Sequence, residues 1–194
     1  MNRITALAAM APVLLLGGCL SLGGKVPESL LTLTPATTAA AGTVAQGSSS
    51  SSLALVELDV PQALDVTRVP VQVSDTELAY LKDAVWVERP ARLFRRLIAE
   101  TIRAKSGRMV IDGDDPGALA IDRVGGTLRS FGYDARTSSV VVVFDAARSG
   151  EGSSVTTKRF ESRISGVPAE VGAVGPALNQ AANDVAAQVA DWVG

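Results

Sequence analysis

The stretch ERPARLFRRLIAETIRAKSG, residues 88–107, predicts an amphipathic helix between two groups of strands. Pro90 suits the first turn of a helix, where its missing amide hydrogen would have no partner. Five apolar residues then recur at intervals of three or four and form one stripe: Leu93, Phe94, Leu97, Ile98 and Ile102. Gly107 is a typical helix stop. Because this helix must bury its stripe, we expect the flanking segments to supply a sheet.

Strand patterns lie on both sides of this helix. In LALVELDV, residues 53–60, apolar side chains alternate with Glu57 and Asp59, which is the period of a half-buried strand. Val69–Val73 and the segment from Leu78 to Val87 predict a hairpin. Four later segments are rich in β-branched residues and separated by turns: Met109–Ile111, Leu119–Tyr133, Val140–Ala146 and Val155–Ile164. They predict a meander of strands, with a bulge at Gly125–Gly126.

A second amphipathic helix is predicted after Pro176, at the end of the chain. Its apolar side consists of Leu178, Ala182, Val185, Val189 and Trp192. Its many alanines permit a close approach to a sheet. Two helices and several strands predict an α+β fold over residues 53–194, in which the helices form one layer on a largely antiparallel sheet.

The amino-terminal region has the pattern of an export signal followed by a modification site. Arg3 provides a positive start, and the apolar run from Ile4 to Leu16 is shorter than the roughly 20 residues that span a bilayer. Four residues, Leu16, Gly17, Gly18 and Cys19, resemble a bacterial lipobox, and Cys19 is the single cysteine of the chain. This resemblance implies cleavage after residue 18 and attachment of diacylglycerol and an N-acyl chain to Cys19. The alternative is an ordinary cleaved signal in which Cys19 is simply a small apolar residue.

Residues 19–52 are rich in Gly, Ala, Ser and Thr, and we predict that they form a flexible tether. Within it, residues 29–34 alternate apolar and hydroxyl side chains and could add a strand to the domain. Leu20 stands where many inner-membrane lipoproteins carry aspartate. The predicted location is therefore the periplasmic face of the outer membrane, with the inner membrane as the alternative.

The residues that most enzymes need are scarce. The chain has no histidine, which is the commonest general base and zinc ligand, and it lacks the usual nucleophile and phosphate-loop motifs. Asp112, Asp114 and Asp115 form an acidic turn, but Pro116 and Arg123 occupy positions where a calcium loop of the EF-hand type needs ligands. We expect no catalytic residue, no metal and no cofactor besides the lipid on Cys19. A hydrolase built on those carboxylates is the remaining enzymatic alternative.

Charge and arginine content suggest which partners the domain could meet. The formal net charge of −2 argues against nucleic acid, which selects strongly basic surfaces. The polar side of the first helix and its approach carry five arginines: Arg89, Arg92, Arg95, Arg96 and Arg103. They could contact lipid headgroups or an acidic partner, or form a solvated face with pairs such as Arg96–Glu100. Tyr80 and Trp86 could likewise be partner contacts or packing residues.

The order of these features resembles a known family. A lipoprotein signal and a tether precede a strand that ends at Val60-Pro61, then Leu64-Asp65, Ala79-Tyr80 and a tryptophan four residues before Pro90. In this order the chain resembles the ABC-type transport auxiliary lipoproteins, the PqiC-like or YmbA-like group. The early strand and the long insert before Leu53 depart from the family pattern.

The resemblance implies a non-enzymatic periplasmic protein that works with an MCE-domain (mammalian cell entry) lipid-transport system and its inner-membrane ABC transporter. It also implies a homo-oligomer on the outer membrane that receives the end of an MCE channel. A different envelope scaffold, such as an accessory of lipopolysaccharide or outer-membrane assembly, is the alternative function.

Overall fold

The computed structural model describes residues 29–48, 50–112, 120–150 and 154–194. Seven strands and two helices follow one another in these parts of the chain: β1 Leu53–Asp59, β2 Arg68–Gln72, β3 Leu78–Val85, α1 Pro90–Ser106, β4 Val110–Asp112, β5 Asp122–Asp134, β6 Ser139–Ser149, β7 Val155–Ser165 and α2 Val171–Val193. The predicted α+β class, with two helices on a largely antiparallel sheet, is confirmed.

Strand β5 is the central strand of the sheet, because three other strands pair with it: β1, β2 and β6. It pairs with β6 along nearly its whole length, and β6 pairs with β7, so three of the four segments predicted to form a meander do so. The remaining one, β4, is not part of that meander. The other side of β5 pairs in parallel with β1 near Asp122 and with β2 near Asp134, and β1 also pairs in parallel with β4. These parallel pairings were not predicted. Leu53, Ala54 and Leu55 are all buried, so the predicted alternation is seen only in the second half of β1, where Leu58 is buried between exposed Glu57 and Asp59.

The core lies between the sheet and the two helices. Phe94 of α1 contacts Phe131 and Phe144 of the sheet, with ring centroids 6.0 and 5.5 Å apart. Trp86, just before α1, lies 5.5 Å from Phe131 between ring centroids. Helix α1 has the predicted bounds and ends at Gly107, whose φ of 65° is left-handed.

Helix α2 begins five residues before Pro176, so the predicted start was wrong. Val171 opens the helix, the carbonyl of Glu170 accepts from Ala173 and Val174, and Pro176 lies inside. A proline is tolerated best near the amino-terminal end of a helix, where few amides have intrahelical partners.

A bulge lies beside Gly125–Gly126, but it is not within β5 as predicted, because the extra residue belongs to β1. The pairing of β5 with β6 is regular at both glycines and shifts only between Leu128 and Ser130. The register between β1 and β5 shifts there, because Leu55 pairs with Val124 whereas Leu58 pairs with Gly126. Gly126 has a φ of 132°, and a Cβ on it would lie 2.0 Å from the carbonyl oxygen of Asp145. Only glycine therefore fits at this position.

Part of the stretch assigned to the tether lies on the domain. Leu31 forms a parallel bridge with Trp86, and both Leu31 and Leu33 pack against the core. The amides of Thr34 and Ala36 donate to the side-chain oxygens of Asn179 and Asn183 at 2.8 and 2.7 Å. We call residues 31–39 the strap. Its composition predicts a tether, but its backbone is fixed by side chains far away in sequence. In the described parts of the chain, no helix is long and apolar enough to cross a membrane.

Candidate functional site

The proposed lipidation site lies outside the described residues. Cys19 and the lipobox residues Leu16, Gly17 and Gly18 all precede Ser29, where the described chain begins. Lipidation of Cys19 therefore stays a prediction.

The arginine of α1 that is most buried is paired inside the domain. The Nε of Arg95 lies 2.9 Å from the carboxylate of Asp112, and each side chain is only 15% exposed. The angle is not that of a hydrogen bond, so the contact is an ion pair. Arg103 donates to the carbonyl of Val110 at 2.9 Å and lies 3.5 Å from Glu100. Both arginines join α1 to β4 and are not free for a ligand.

The more exposed arginines also have neighbours of opposite charge. Arg96 pairs with Glu88 at 2.5 Å, whereas Glu100, the partner considered in the sequence, accepts from the amide of Ala39 in the strap. Arg89 lies 3.2 Å from Asp65. Arg92 is exposed and lines a groove with two other arginines and three carboxylates: Arg89, Arg95, Glu57, Asp59 and Asp65. The helix thus presents a mixed surface with compensated charge.

Tyr80 and Trp86, predicted together as contact residues, have different environments. Trp86 is 1% exposed, so it is a core residue and cannot reach a partner from this position. Tyr80 is half-buried in β3, an edge strand, and the guanidinium of Arg68 lies 4.2 Å from its ring centroid. Tyr80 therefore remains a surface residue with a cation stacked on its face.

The acidic turn is only partly described. Asp112 is committed to Arg95, and Asp114 and Asp115 lie outside the described residues. Within the described ranges, no three side chains of the metal-binding types come together.

A cluster of two arginines and one aspartate caps the carboxyl-terminal end of α2. The sequence analysis did not predict this cluster. Arg108 donates to the carbonyl of Val193 at 3.0 Å, and Arg148 donates to that of Trp192 at 3.4 Å. Both also bind the carboxylate of Asp122, at 3.0 and 2.8 Å. Burial raises the pKa of Asp122, but the hydrogen bonds from Arg148 and Arg108 outweigh it and hold this pKa below its usual value. Cations suit the negative end of a helix dipole, so this cluster is structural.

Two further carboxylates on the sheet are held by arginines. Hydrogen bonds from Arg136 lower the pKa of Asp134 to about 2. Hydrogen bonds from Arg159, and then from Arg129, lower the pKa of Asp145 to about 2. Asp145 and Arg159 are register partners on β6 and β7, so a correct strand alignment would have revealed this pair. These side chains balance charge and are not arranged around a reactive group.

Comparisons with known proteins agree with this architecture. The family model described as "ABC-type transport auxiliary lipoprotein component" matches residues 31–190. A crystal structure from Xanthomonas campestris, assigned to the family DUF330, is 17% identical, with a TM-score of 0.62 over 86% of this chain and 92% of that one. A crystal structure titled only as an uncharacterized protein is 13% identical, with a TM-score of 0.65 over 86% of this chain and 100% of that one.

At these identities the solved structures support the fold alone. A search of curated protein sequences finds no match. The family match begins at Leu31, where the strap begins, and spans most of the chain. The chain belongs to the family of ABC-type transport auxiliary lipoprotein components.

Proposed function

We propose that this protein is a non-catalytic periplasmic component of an MCE/ABC-type intermembrane lipid-transport system. In this proposal Cys19 carries diacylglycerol and an N-acyl chain, which hold the domain on the periplasmic face of the outer membrane. The observation that carries the proposal is the match of residues 31–190 to an auxiliary transport lipoprotein, which begins twelve positions after the cysteine of a lipobox-like sequence.

The physical basis of the anchor is the number of acyl chains. One chain binds a bilayer only marginally, whereas two or more anchor a protein stably. A domain held in this way can act by position, because the membrane fixes its distance from a partner that spans the periplasm. Arg89 and three of the four arginines of α1, Arg95, Arg96 and Arg103, are engaged in ion pairs, which favours a docking module over a site that binds and converts a charged substrate.

We further propose that the protein works as a homo-oligomer. Strands β3, β4 and β7 each have a single partner in the sheet, and β7 offers the longest of these edges, with eleven residues. An exposed edge strand can pair with another chain. Light scattering of the lipidated protein in mild detergent tests this part of the proposal, and a monomer at all concentrations would remove it.

The experiment that tests the anchor compares the wild type with Cys19→Ser. Mass spectrometry of the mature wild type should find acyl chains on Cys19, and density-gradient fractionation should place it with the outer membrane. The variant should be recovered in the soluble periplasmic fraction. A variant that remains firmly bound to membranes would contradict the anchor.

The experiment that tests the partner is crosslinking in intact cells followed by purification of the lipidated protein. We expect recovery of an MCE-domain protein together with ABC transporter subunits. Recovery of lipopolysaccharide or outer-membrane assembly factors instead would support the alternative scaffold function and overturn the transport assignment.

A further inference from the structure

An exposed apolar surface surrounds the point where the described chain begins. Leu30 and Val87 flank the bridge between Leu31 and Trp86, and they are 51% and 53% exposed. In extended chains, residues next to a paired residue point to the opposite face, so Leu30 and Val87 point away from the core that Leu31 and Trp86 enter. About half of each side chain remains exposed, and Val87 also lines a groove with Thr32 and Glu88.

Neighbouring side chains complete this surface. The carbonyl of Val85 accepts from the amide of Leu31, and Arg68 is the register partner of Val85 on β2. Arg68 in turn stacks on Tyr80. We define the amino-terminal patch as Leu30, Val85, Val87, Arg68 and Tyr80. It combines aliphatic side chains, one aromatic ring with a polar tip and one cation, and it contains no carboxylate.

We infer that the amino-terminal patch rests on the phospholipid headgroup region of the membrane that holds the lipid anchor. The inference depends on the anchor of the proposed function and adds an orientation to it. Tyrosine and arginine side chains beside aliphatic ones suit a membrane interface, because their apolar parts enter it while their polar ends stay hydrated.

The length of chain between the anchor and the patch supports the bilayer as the occupant. Ten Cα–Cα steps separate Cys19 from Ser29, and they span at most about 36 Å when fully extended. A domain of this size is about 40 Å across. The chain is thus too short to pass around the domain to a start point on its far side. The patch that adjoins Ser29 is held close to the bilayer at high effective concentration.

Val155 provides a matched control at the other end of the molecule. It is 64% exposed, also apolar, and it opens β7 next to Ser154 and Thr156, which share a groove with Trp192. Leu31 contacts α2 at Gly175. The 17 residues from Gly175 to Trp192 extend about 25 Å along the helix axis. Val155 should therefore stay in water when the patch is on the membrane.

The test uses full-length lipidated protein in vesicles of phosphatidylethanolamine and phosphatidylglycerol. Because lipid occupies the thiol of Cys19, the variants Leu30→Cys, Val87→Cys and Val155→Cys each carry one free thiol for an environment-sensitive fluorophore. We expect a blue shift and quenching by nitroxide-labelled lipids at positions 30 and 87, and neither at 155. Circular dichroism of each variant checks the fold.

The outcomes separate this inference from the anchor on which it rests. Probes at 30 and 87 that report water, on protein with acylated Cys19, would overturn the orientation and leave the anchor intact. Probes that are shielded but not quenched by lipid would show that protein covers the patch, either residues 20–28 or a second copy, and would also overturn it. An unmodified Cys19 would remove both the anchor and the orientation.

Discussion

The two helices pack in the core with different mixtures of large and small side chains. Helix α1 buries bulky residues, with Phe94, Ile98 and Ile102 fully inaccessible. Helix α2 also buries branched residues, such as Leu178 and Val185, but it adds many alanines, with Ala181, Ala182 and Ala186 fully inaccessible. Bulky side chains fill space between a helix and a sheet, whereas small ones let two backbones approach. We therefore expect α1 to be sensitive to truncation and α2 to enlargement.

The polar sides of the two helices also differ, in the kind of group that they contact. The polar side of α1 binds charged side chains, as in Arg95–Asp112 and Arg96–Glu88. The polar side of α2 binds main chain, because Asn179 and Asn183 hold the strap through its amides. Thus the polar side of α1 mainly joins the helix to β4 and to Glu88, with one contact from Glu100 to the strap, whereas α2 holds the strap through two asparagines.

The largest effect is expected from Phe94→Ala in α1. The change removes contacts with Phe131 and Phe144 at a site with no exposure, and such truncations cost about 3–5 kcal/mol in the free energy of unfolding. Urea denaturation followed by tryptophan fluorescence measures this loss. Phe94→Leu, which retains most of the volume, should lose clearly less. Equal losses in both variants would show that bulk is not what α1 contributes.

The second-largest effect is expected from Ala182→Leu in α2, which enlarges a buried side chain instead of truncating one. Adding three carbons at a fully buried alanine should cost about 1–3 kcal/mol, because the neighbours must shift to admit them. The same substitution at Ala187, which is half-buried on the same helix, is the matched control and should change stability little. A neutral Ala182→Leu would refute the close packing assigned to α2.

The third effect is expected from Asn183→Ala, which tests the polar side of α2. Asn183 accepts from Ala36 at 2.7 Å and donates to the carbonyl of Thr34 at 2.9 Å. Loss of these partly exposed hydrogen bonds should cost about 1 kcal/mol. Limited proteolysis should show faster cleavage within the strap.

Asn183→Asp keeps the acceptor for Ala36 and loses the donor to Thr34. It should therefore fall between the wild type and the alanine variant in cleavage rate. Cleavage at the wild-type rate in the alanine variant would mean that the asparagines do not hold the strap.

Local patterns predicted local structure well and long-range contacts poorly. The period of three to four residues, Pro90 and Gly107 gave the bounds of α1, because all of these signals lie within the helix itself. The parallel pairing of β1 with β5 joins residues about 70 positions apart, which no short window of sequence contains.

The surface residues show the same limit. Arg95 was predicted to belong to a polar helix face, but its partner Asp112 lies on β4, beyond the end of the helix. The strap was assigned to the tether because residues 19–52 are rich in Gly, Ala, Ser and Thr. It is nevertheless held by the side chains of Asn179 and Asn183, which bind its backbone, and by Leu31 and Leu33, which pack against the core. Amino-acid composition indicates how much apolar surface a segment can bury. It does not indicate whether side chains far away in the sequence will form hydrogen bonds with the backbone of that segment.

The smallest effect is expected from Asp145→Asn on the sheet, and it separates charge from packing. Arg159 and Arg129 hold the pKa of Asp145 at about 2, below its ordinary value of 3.8. A carboxyl with a lowered pKa stabilises the folded state above its ordinary pKa, and this contribution is lost as the pH falls towards 2. The asparagine variant should therefore show a weaker loss of stability between pH 4 and pH 2 than the wild type.

Arg159→Gln removes the strongest of these hydrogen bonds and should change the pH dependence in the same direction. Phe94→Ala, in contrast, should lower stability by a similar amount at every pH, because no proton is bound or released at that site. Urea midpoints measured at several pH values distinguish the two kinds of change. Identical acid profiles for Asp145→Asn and the wild type would place the acid-sensitive contacts elsewhere, with Asp134 as the next carboxyl to replace, since Arg136 also holds its pKa at about 2.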